Sequence, residues 1–400
     1  MTIIYLGTPA PLDQVDESDP KCHLAKVGTV AQNELLKNID TSKNKLKIIT
    51  ASLTGKKQKA VRLWENGLEA QAVGNLQVSS FGLFLLSLIF TNTFALFTEL
   101  RRLSRQNSGQ PILIITLLTQ APFSIPVLLA KKLYPNVIWC PFLVDTVEAY
   151  RHQNLTFRLA NKFSVYAANQ ADACFTYNVP NATDYLPGKP YCELYFTPSA
   201  ADLVEYQTPI MRTNNKFTIT YTGALLDIYN FDAVIEVIKQ TGKKYRWVFA
   251  GYGENETALA ALAADPNYDV DFTGPVLHHQ AIEFQKSADL LLCLRLKAGS
   301  KVNEYSAKYA LSGKWSEYLC SGVPILTSDV EAIPPSFREY LNFVGEDSAS
   351  ITHAIEHIAN NPAVFRERAK AGQRFALETF QKTHESAVVN GFIDQLASSL

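Results

Sequence analysis

The segment SGKWSEYLCSGVPILTSD, Ser312 to Asp329, carries residue types suited to holding a phosphate and a sugar together. Lys314 and Glu317 stand three residues apart, so on a helix beginning there they share one face. The first turn of such a helix leaves backbone N–H groups free beside Ser312 and Gly313. Those groups and the ammonium of Lys314 can neutralise a diphosphate, while the carboxylate of Glu317 can accept hydrogen bonds from a ribose diol. Gly322 and Pro324 then turn the helix into a buried strand. A surface Lys–Glu pair before an ordinary helix-to-strand turn would have the same local sequence.

Other segments point toward the same chemistry. Gly223 closes the strand FTITYTG, Gly251 and Gly253 follow the next strand in AGYGE, and Gly274 closes VDFTG. At the carboxyl ends of parallel strands, glycines let the backbone approach a nucleotide without interference from a Cβ. AGYGE does not complete a dinucleotide fingerprint. Arg295 ends ADLLLCLR, and with Lys297, Lys301 and Glu304 around Gly299 it is a candidate diphosphate contact or part of a lid. Asp145 follows the apolar run VIWCPFLV, where a carboxylate could orient an acceptor hydroxyl, act as a base or cap the next helix. His278 and His279 are adjacent, and His353 and His357 are four apart without the intervening glutamate of a metalloprotease, so no metal site is expected.

These residues need a scaffold, and the patterning supplies two. IIYLG, LKIITA, ILIIT, VIWCPFLV and DACFTYN alternate with helical stretches over the first 200 residues. FTITYTG, YRWVFAGYG, YDVDFTG, ADLLLCLR and VPILTSD alternate with helices after residue 216. Strands apolar on both faces belong to parallel sheets covered by helices. The expectation is an α/β protein of two Rossmann-like doubly wound domains, 1–205 and 206–379, facing a cleft. The polar stretch 206–216 reads as a linker. The helical tail beyond Pro362, with breaks expected near Gly372 and Gly391, is expected to brace the first domain through residues 380–400.

Composition narrows the class. Of 400 residues, 47% are hydrophobic, which suffices for two cores and excludes a disordered chain. The 37 basic residues nearly cancel the 38 acidic ones, and no long basic run is present, so a nucleic-acid partner is not expected. Six scattered cysteines suggest reduced thiols and a cytoplasmic location, and MTIIYLG reads as a first strand rather than a leader. Residues 70–98 contain no charge. Their apolar helix, about 81–97, admits three readings: a core helix, a helix that also touches a membrane surface, or a span interrupted by Thr91, Asn92 and Thr93.

In the order YTG, VFAGYGE, VDFTG, SADLLLCLR and SGKWSEYLCSGVPILTSD, the second half resembles the GT-B glycosyltransferases, and in particular the retaining enzymes of bacterial cell-surface polysaccharide synthesis. QPILIITLLTQAPFSIPVLLAKKLYP and NQADACFTYN extend a looser resemblance into the first half. The resemblance implies transfer from a nucleotide-diphosphate sugar to a saccharide or lipid-linked saccharide, with no cofactor. It places Lys314 at the diphosphate and Glu317 at the ribose. The acceptor-side candidates are Gly7, Thr119, Gln120 and Asp145, and the resemblance implies that the leaving diphosphate assists deprotonation of the acceptor.

Three positions depart from the pattern. Tyr309 stands where the family has a second carboxylate, Leu118, Thr119 and Gln120 stand near its frequent histidine, and ALLDIYN replaces its basic pair. The alternatives are a transferase acting on a protein or soluble acceptor, a noncatalytic partner of a glycosyltransferase, and an epimerase of the same two-domain plan.

Overall fold

The computed structural model describes residues 1–7, 31–51, 60–65, 68–75, 81–106, 109–144, 155–210 and 216–399. The chain divides into two compact units, Met1–Leu194 with Lys382–Leu400, and Tyr195–Gln381.

The first unit is built on a sheet that contains, among the described residues, eight strands. They are β1 (Thr2–Gly7), β2 (Lys45–Ala51), β3 (Ala60–Glu65), β4 (Leu68–Asn75), β5 (Ile112–Leu117), β6 (Val137–Leu143), β7 (Cys174–Thr176) and β8 (Tyr191–Glu193), in the order β4-β3-β2-β1-β5-β6-β7-β8. From β2 to β8 all neighbours are parallel. Ile3, Ile4, Leu113, Ile114, Trp139 and Phe142 are fully buried, which accounts for the unbroken apolar runs. Strands β3 and β4 add an antiparallel extension that the alternation does not predict, although Asn66-Gly67 between them is a hairpin signal.

Helices of this unit are α1 (residues 31–38), α2 (Phe81–Gln106), α3 (Ala121–Leu133), α4 (Leu155–Asn169), α5 (Val179–Tyr185) and α14 (Lys382–Ser398). The charge-poor helix therefore runs on to Gln106. Its Leu96 and Leu100 are fully buried, and Glu99 is buried in an ion pair with Lys47 of β2 at 2.7 Å. Among the described residues, no helix is long and apolar enough to cross a membrane. Asn390 of α14 donates to Asn38 O at 2.8 Å and accepts from the Asp40 N–H at 2.8 Å, and Phe392 meets Phe175 edge-on at 5.3 Å.

The second unit is built on β9 (Thr218–Thr222), β10 (Arg246–Ala250), β11 (Val270–Gly274), β12 (Leu290–Cys293), β13 (Ile325–Ser328) and β14 (Asn342–Val344). Their order is β11-β10-β9-β12-β13-β14, with every pairing parallel. The helices are α6 (Ala200–Gln207), α7 (Phe231–Thr241), α8 (Glu256–Ala264), α9 (His278–Ser287), α10 (Lys301–Tyr309), α11 (Gly313–Ser321), α12 (Ser348–Asn360) and α13 (Pro362–Thr379). Trp247 and Phe249 anchor one core and Trp315, Tyr318 and Phe337 the other.

Two expectations change. Residues 195–205 lie with the second unit, because the Ser199 capping box starts α6 there and its buried Tyr206 donates to Gln285 at 2.6 Å. Gly372 and Gly391 do not break the tail, whose two helices part at Phe380 and Gln381. Gly372 is instead a packing glycine: a Cβ there would lie 2.9 Å from Tyr340 Cβ and 3.0 Å from Leu319 Cδ2.

Candidate functional site

In the second sheet the chain moves outward from β9 through β10 to β11, then returns to the other side of β9 as β12. The carboxyl ends of β9 and β12 therefore flank a topological switch point, the place where open α/β sheets hold ligands. Gly223 ends β9, and Arg295 follows β12.

Lys314 reaches this point from the first turn of α11. A Cβ on Gly223, whose φ is +125°, would stand 2.6 Å from Lys314 Cε and 3.1 Å from Nζ. Beneath the ammonium lie the rings of Tyr229, 4.3 Å from Nζ, and Tyr221, 5.3 Å away. Burial raises the Tyr229 hydroxyl, but Lys314 and Arg295 outweigh it and hold that hydroxyl below its ordinary pKa. Tyr229 belongs to the segment ALLDIYN, which here supplies an aromatic cradle for Lys314.

Glu317 lies one turn further along α11, on the Lys314 face. Gln285 of α9 donates to Glu317 Oε2 at 3.4 Å and to Thr222 Oγ1 at 2.9 Å, while accepting from Tyr206. Burial pushes the Glu317 carboxyl above its usual range, opposed by the charges of His278 and Lys314 and by the Gln285 bond. His278 in turn meets Asp202 at 3.2 Å. Tyr318, behind Glu317, accepts the Thr222 N–H at 3.0 Å and ties α11 to β9. Ser312 is buried and forms no side-chain cap, and Gly313 begins the helix against Phe196 Cβ at 3.9 Å.

The other candidates separate by role. Gly251 and Gly253 let two loops lie against each other: a Cβ on Gly251 would stand 1.8 Å from Gly223 O, and one on Gly253 2.7 Å from Leu225 O. Gly274 ends the edge strand β11, one strand removed from β9, and accepts the Gly251 N–H at 2.8 Å. Arg295 is 3% exposed, and its Nη1 donates to Ser306 O, Ser306 Oγ and Ala310 O at 2.6, 3.0 and 2.7 Å. These bonds fasten α10 to the end of β12, so Arg295 is a brace and a source of field at Tyr229. Lys297 is exposed in the following loop.

On the first unit, β1 and β5 flank the corresponding switch point. Gly7 ends β1, where a Cβ would collide with Tyr5 Cε1 at 2.5 Å and Gln32 Oε1 at 2.7 Å. Beyond β5, Leu118 has a φ of +55°, a conformation that costs a non-glycine residue about 1–3 kcal/mol. Thr119 is buried with its hydroxyl oxygen lacking a hydrogen-bond partner, and Gln120 is exposed at the N-cap of α3. Asp145 lies outside the described residues. Among those residues, no group of three or more His, Cys, Asp or Glu side chains could hold a metal ion.

Sequence reasoning missed Tyr229 and Gln285. An aromatic within ALLDIYN was the available signal for the first; Gln285, at the end of an ordinary amphipathic helix, had none.

Residues 207–375 match the family model of Glycosyl transferases group 1. The second unit thus carries a glycosyl transferases group 1 domain, and the two doubly wound sheets have the GT-B fold. Among solved structures, an alpha,alpha-trehalose-phosphate synthase (UDP-forming) from Burkholderia vietnamiensis is similar at a TM-score of 0.56 and 9% identity, with 100% of each chain covered. HepE of Anabaena, in complex with UDP, is similar at 0.55 and 13%, again over 100% of each chain. TarM of S. aureus, in a complex containing UDP, is similar at 0.51 and 11%, over 84% of this chain and 62% of TarM, so the chain spans less than two thirds of that TarM chain. No curated protein matches the sequence.

Proposed function

We propose that this protein is a glycosyltransferase that takes its sugar from a nucleotide-diphosphate sugar held by the second unit and passes it, with retention, to a saccharide or lipid-linked saccharide. The observation that carries this reading is Lys314 Nζ at the β9 switch point with Glu317 one turn along the same helix. The ammonium and the first-turn N–H groups of α11 sit where negative charge develops on a leaving diphosphate, and stabilising that charge lowers the barrier to departure. Glu317, oriented by Gln285, accepts from the ribose hydroxyls. UDP in the HepE and TarM complexes supports a nucleoside diphosphate as leaving group.

Gly7, Thr119 and Gln120 are the proposed acceptor residues. The unpartnered Thr119 hydroxyl at the β1–β5 switch point supports that assignment, because a buried polar atom without a partner costs about 1–3 kcal/mol until a ligand satisfies it. Asp145 is proposed to orient the acceptor hydroxyl. The free thiols of Cys140, Cys174, Cys192, Cys293 and Cys320 fit a reducing compartment, and we place the reaction in the cytoplasm.

Calorimetric titration with a panel of nucleoside diphosphates and their sugars tests the donor site. Binding should be lost in Glu317→Ala and weakened at least tenfold in Lys314→Ala. Absence of binding across the panel by folded protein would overturn the assignment. Radiolabelled transfer to membrane extract and to soluble saccharides then separates the acceptor classes.

A further inference from the structure

We infer that Tyr206 and Gln285 are positioning residues that aim the Glu317 carboxylate at both ribose hydroxyls of the donor; this rests on the proposed assignment of Glu317 to the ribose. Gln285 is 1% exposed on the last turn of α9, and its whole amide is committed inside the second unit. Its Oε1 accepts from the Tyr206 hydroxyl at 2.6 Å, while Nε2 donates to Thr222 Oγ1 at 2.9 Å and to Glu317 Oε2 at 3.4 Å. Tyr206 stands at the start of the polar stretch that reads as a linker, yet it is 3% exposed. An amide can turn over and exchange its oxygen for its nitrogen. Here its direction is set at both ends, because a carboxylate only accepts and the phenol donates to Oε1. Reversed, the amide would turn its oxygen toward the Glu317 carboxylate.

The clamp decides what Glu317 offers a ligand. An ionised carboxylate has about four lone-pair sites, and the amide takes one of them on Oε2. Among the described residues, Oε1 accepts no hydrogen bond. A vicinal diol presents two donors along one edge, which a carboxylate held in a fixed plane can accept together. Fixing a glutamate side chain costs rotamer freedom, and a clamp already made in the free protein removes that cost from binding. The packing of α6 on α9 has a separate fastening: Lys286 Nζ donates to Glu205 O at 2.6 Å.

The test is calorimetric titration of the full chain with ADP, CDP, GDP and UDP, each beside its 2′,3′-dideoxy counterpart. The wild type should bind its preferred ribonucleotide at least tenfold more tightly than the dideoxy form, the scale of one or two hydrogen bonds to a charged acceptor. Gln285→Leu should reduce that preference to about threefold or less while dideoxy binding stays unchanged. Tyr206→Phe removes a single oxygen and should lower the preference about threefold, which keeps the test open should Gln285→Leu fail to fold. Because the two side chains act in series, adding Tyr206→Phe to Gln285→Leu should change the preference no further. Lys286→Met should lower Tm and leave the preference intact, separating helix packing from the aiming of Glu317. Equal binding of ribo and dideoxy forms by the wild type would overturn the proposal. So would a preference that Tyr206→Phe and Gln285→Leu both retain in full. Glu317→Ala distinguishes the two failures: a preference that survives in that variant refutes the ribose assignment itself, and one that survives only in the Tyr206 and Gln285 variants refutes their positioning role.

Discussion

Lys314 occupies space that Gly223 leaves empty, with its Cε lying where a methyl group on that glycine would approach to 2.6 Å. The two residues are far apart in the chain, yet the backbone of one determines where the charge of the other can stand. Removing that allowance tests the site more directly than removing the charge.

Gly223→Ala should therefore weaken nucleoside-diphosphate binding at least tenfold. The new methyl must displace the lysine, and a φ of +125° disfavours any L side chain. Gly274→Ala, whose Cβ would meet nothing within 4 Å, is the control: its φ of +67° should cost about 1–2 kcal/mol of stability, with little loss of affinity. Calorimetric titration and thermal unfolding of both variants separate the effects.

The stability of the first unit should depend on pH through Glu193. Burial pushes this carboxyl up to about 7, and one of its oxygens lacks a hydrogen-bond partner. Its folded value exceeds the unfolded value, so its favourable contribution is complete below about 4.3 and is lost as pH rises through about 7. Glu193→Gln should consequently stabilise the protein by roughly 2 kcal/mol near pH 8 and by almost nothing near pH 4. Urea unfolding at the two pH values checks both the size and the sign.

Arg295→Met should behave as a structural lesion. It removes three hydrogen bonds from Nη1 and takes the guanidinium from Ala310 O at the end of α10, at a cost of about 1–3 kcal/mol. Lys297→Ala, two residues further on and exposed, should change stability by no more than about 0.5 kcal/mol. A comparable fall in Tm for both would refute the brace assignment.

The two tail glycines should respond in opposite directions. Gly372→Ala places a methyl against Tyr340 and Leu319 and should destabilise by about 1–3 kcal/mol. Gly391→Ala meets nothing within 4 Å inside α14 and should stabilise by up to about 1 kcal/mol. Thermal unfolding of the single variants resolves the difference.

Much of this architecture could be read locally. Apolar runs such as ILIIT and VIWCPFL are buried on both faces, so their composition alone announces a covered parallel sheet. Lys314 and Glu317 share a helical face because a helix repeats every 3.6 residues, whatever surrounds it. The boundary between units was less legible, since polar 206–216 resembles a linker while Tyr206 is buried beneath α9.

The sequence by itself therefore determined the alternating elements, the glycines at strand ends and the spacing of the ammonium and carboxylate. Only the tertiary structure decided that Tyr229 cradles Lys314, that Gln285 holds Glu317 and that Arg295 turns its Nη1 to the carbonyls of Ser306 and Ala310. The physical reason is that a guanidinium can satisfy a phosphate or a carbonyl equally well, and an amide can face solvent or a buried carboxylate. Which partner each side chain meets depends on strand order, which brings β12 beside β9 across dozens of intervening residues.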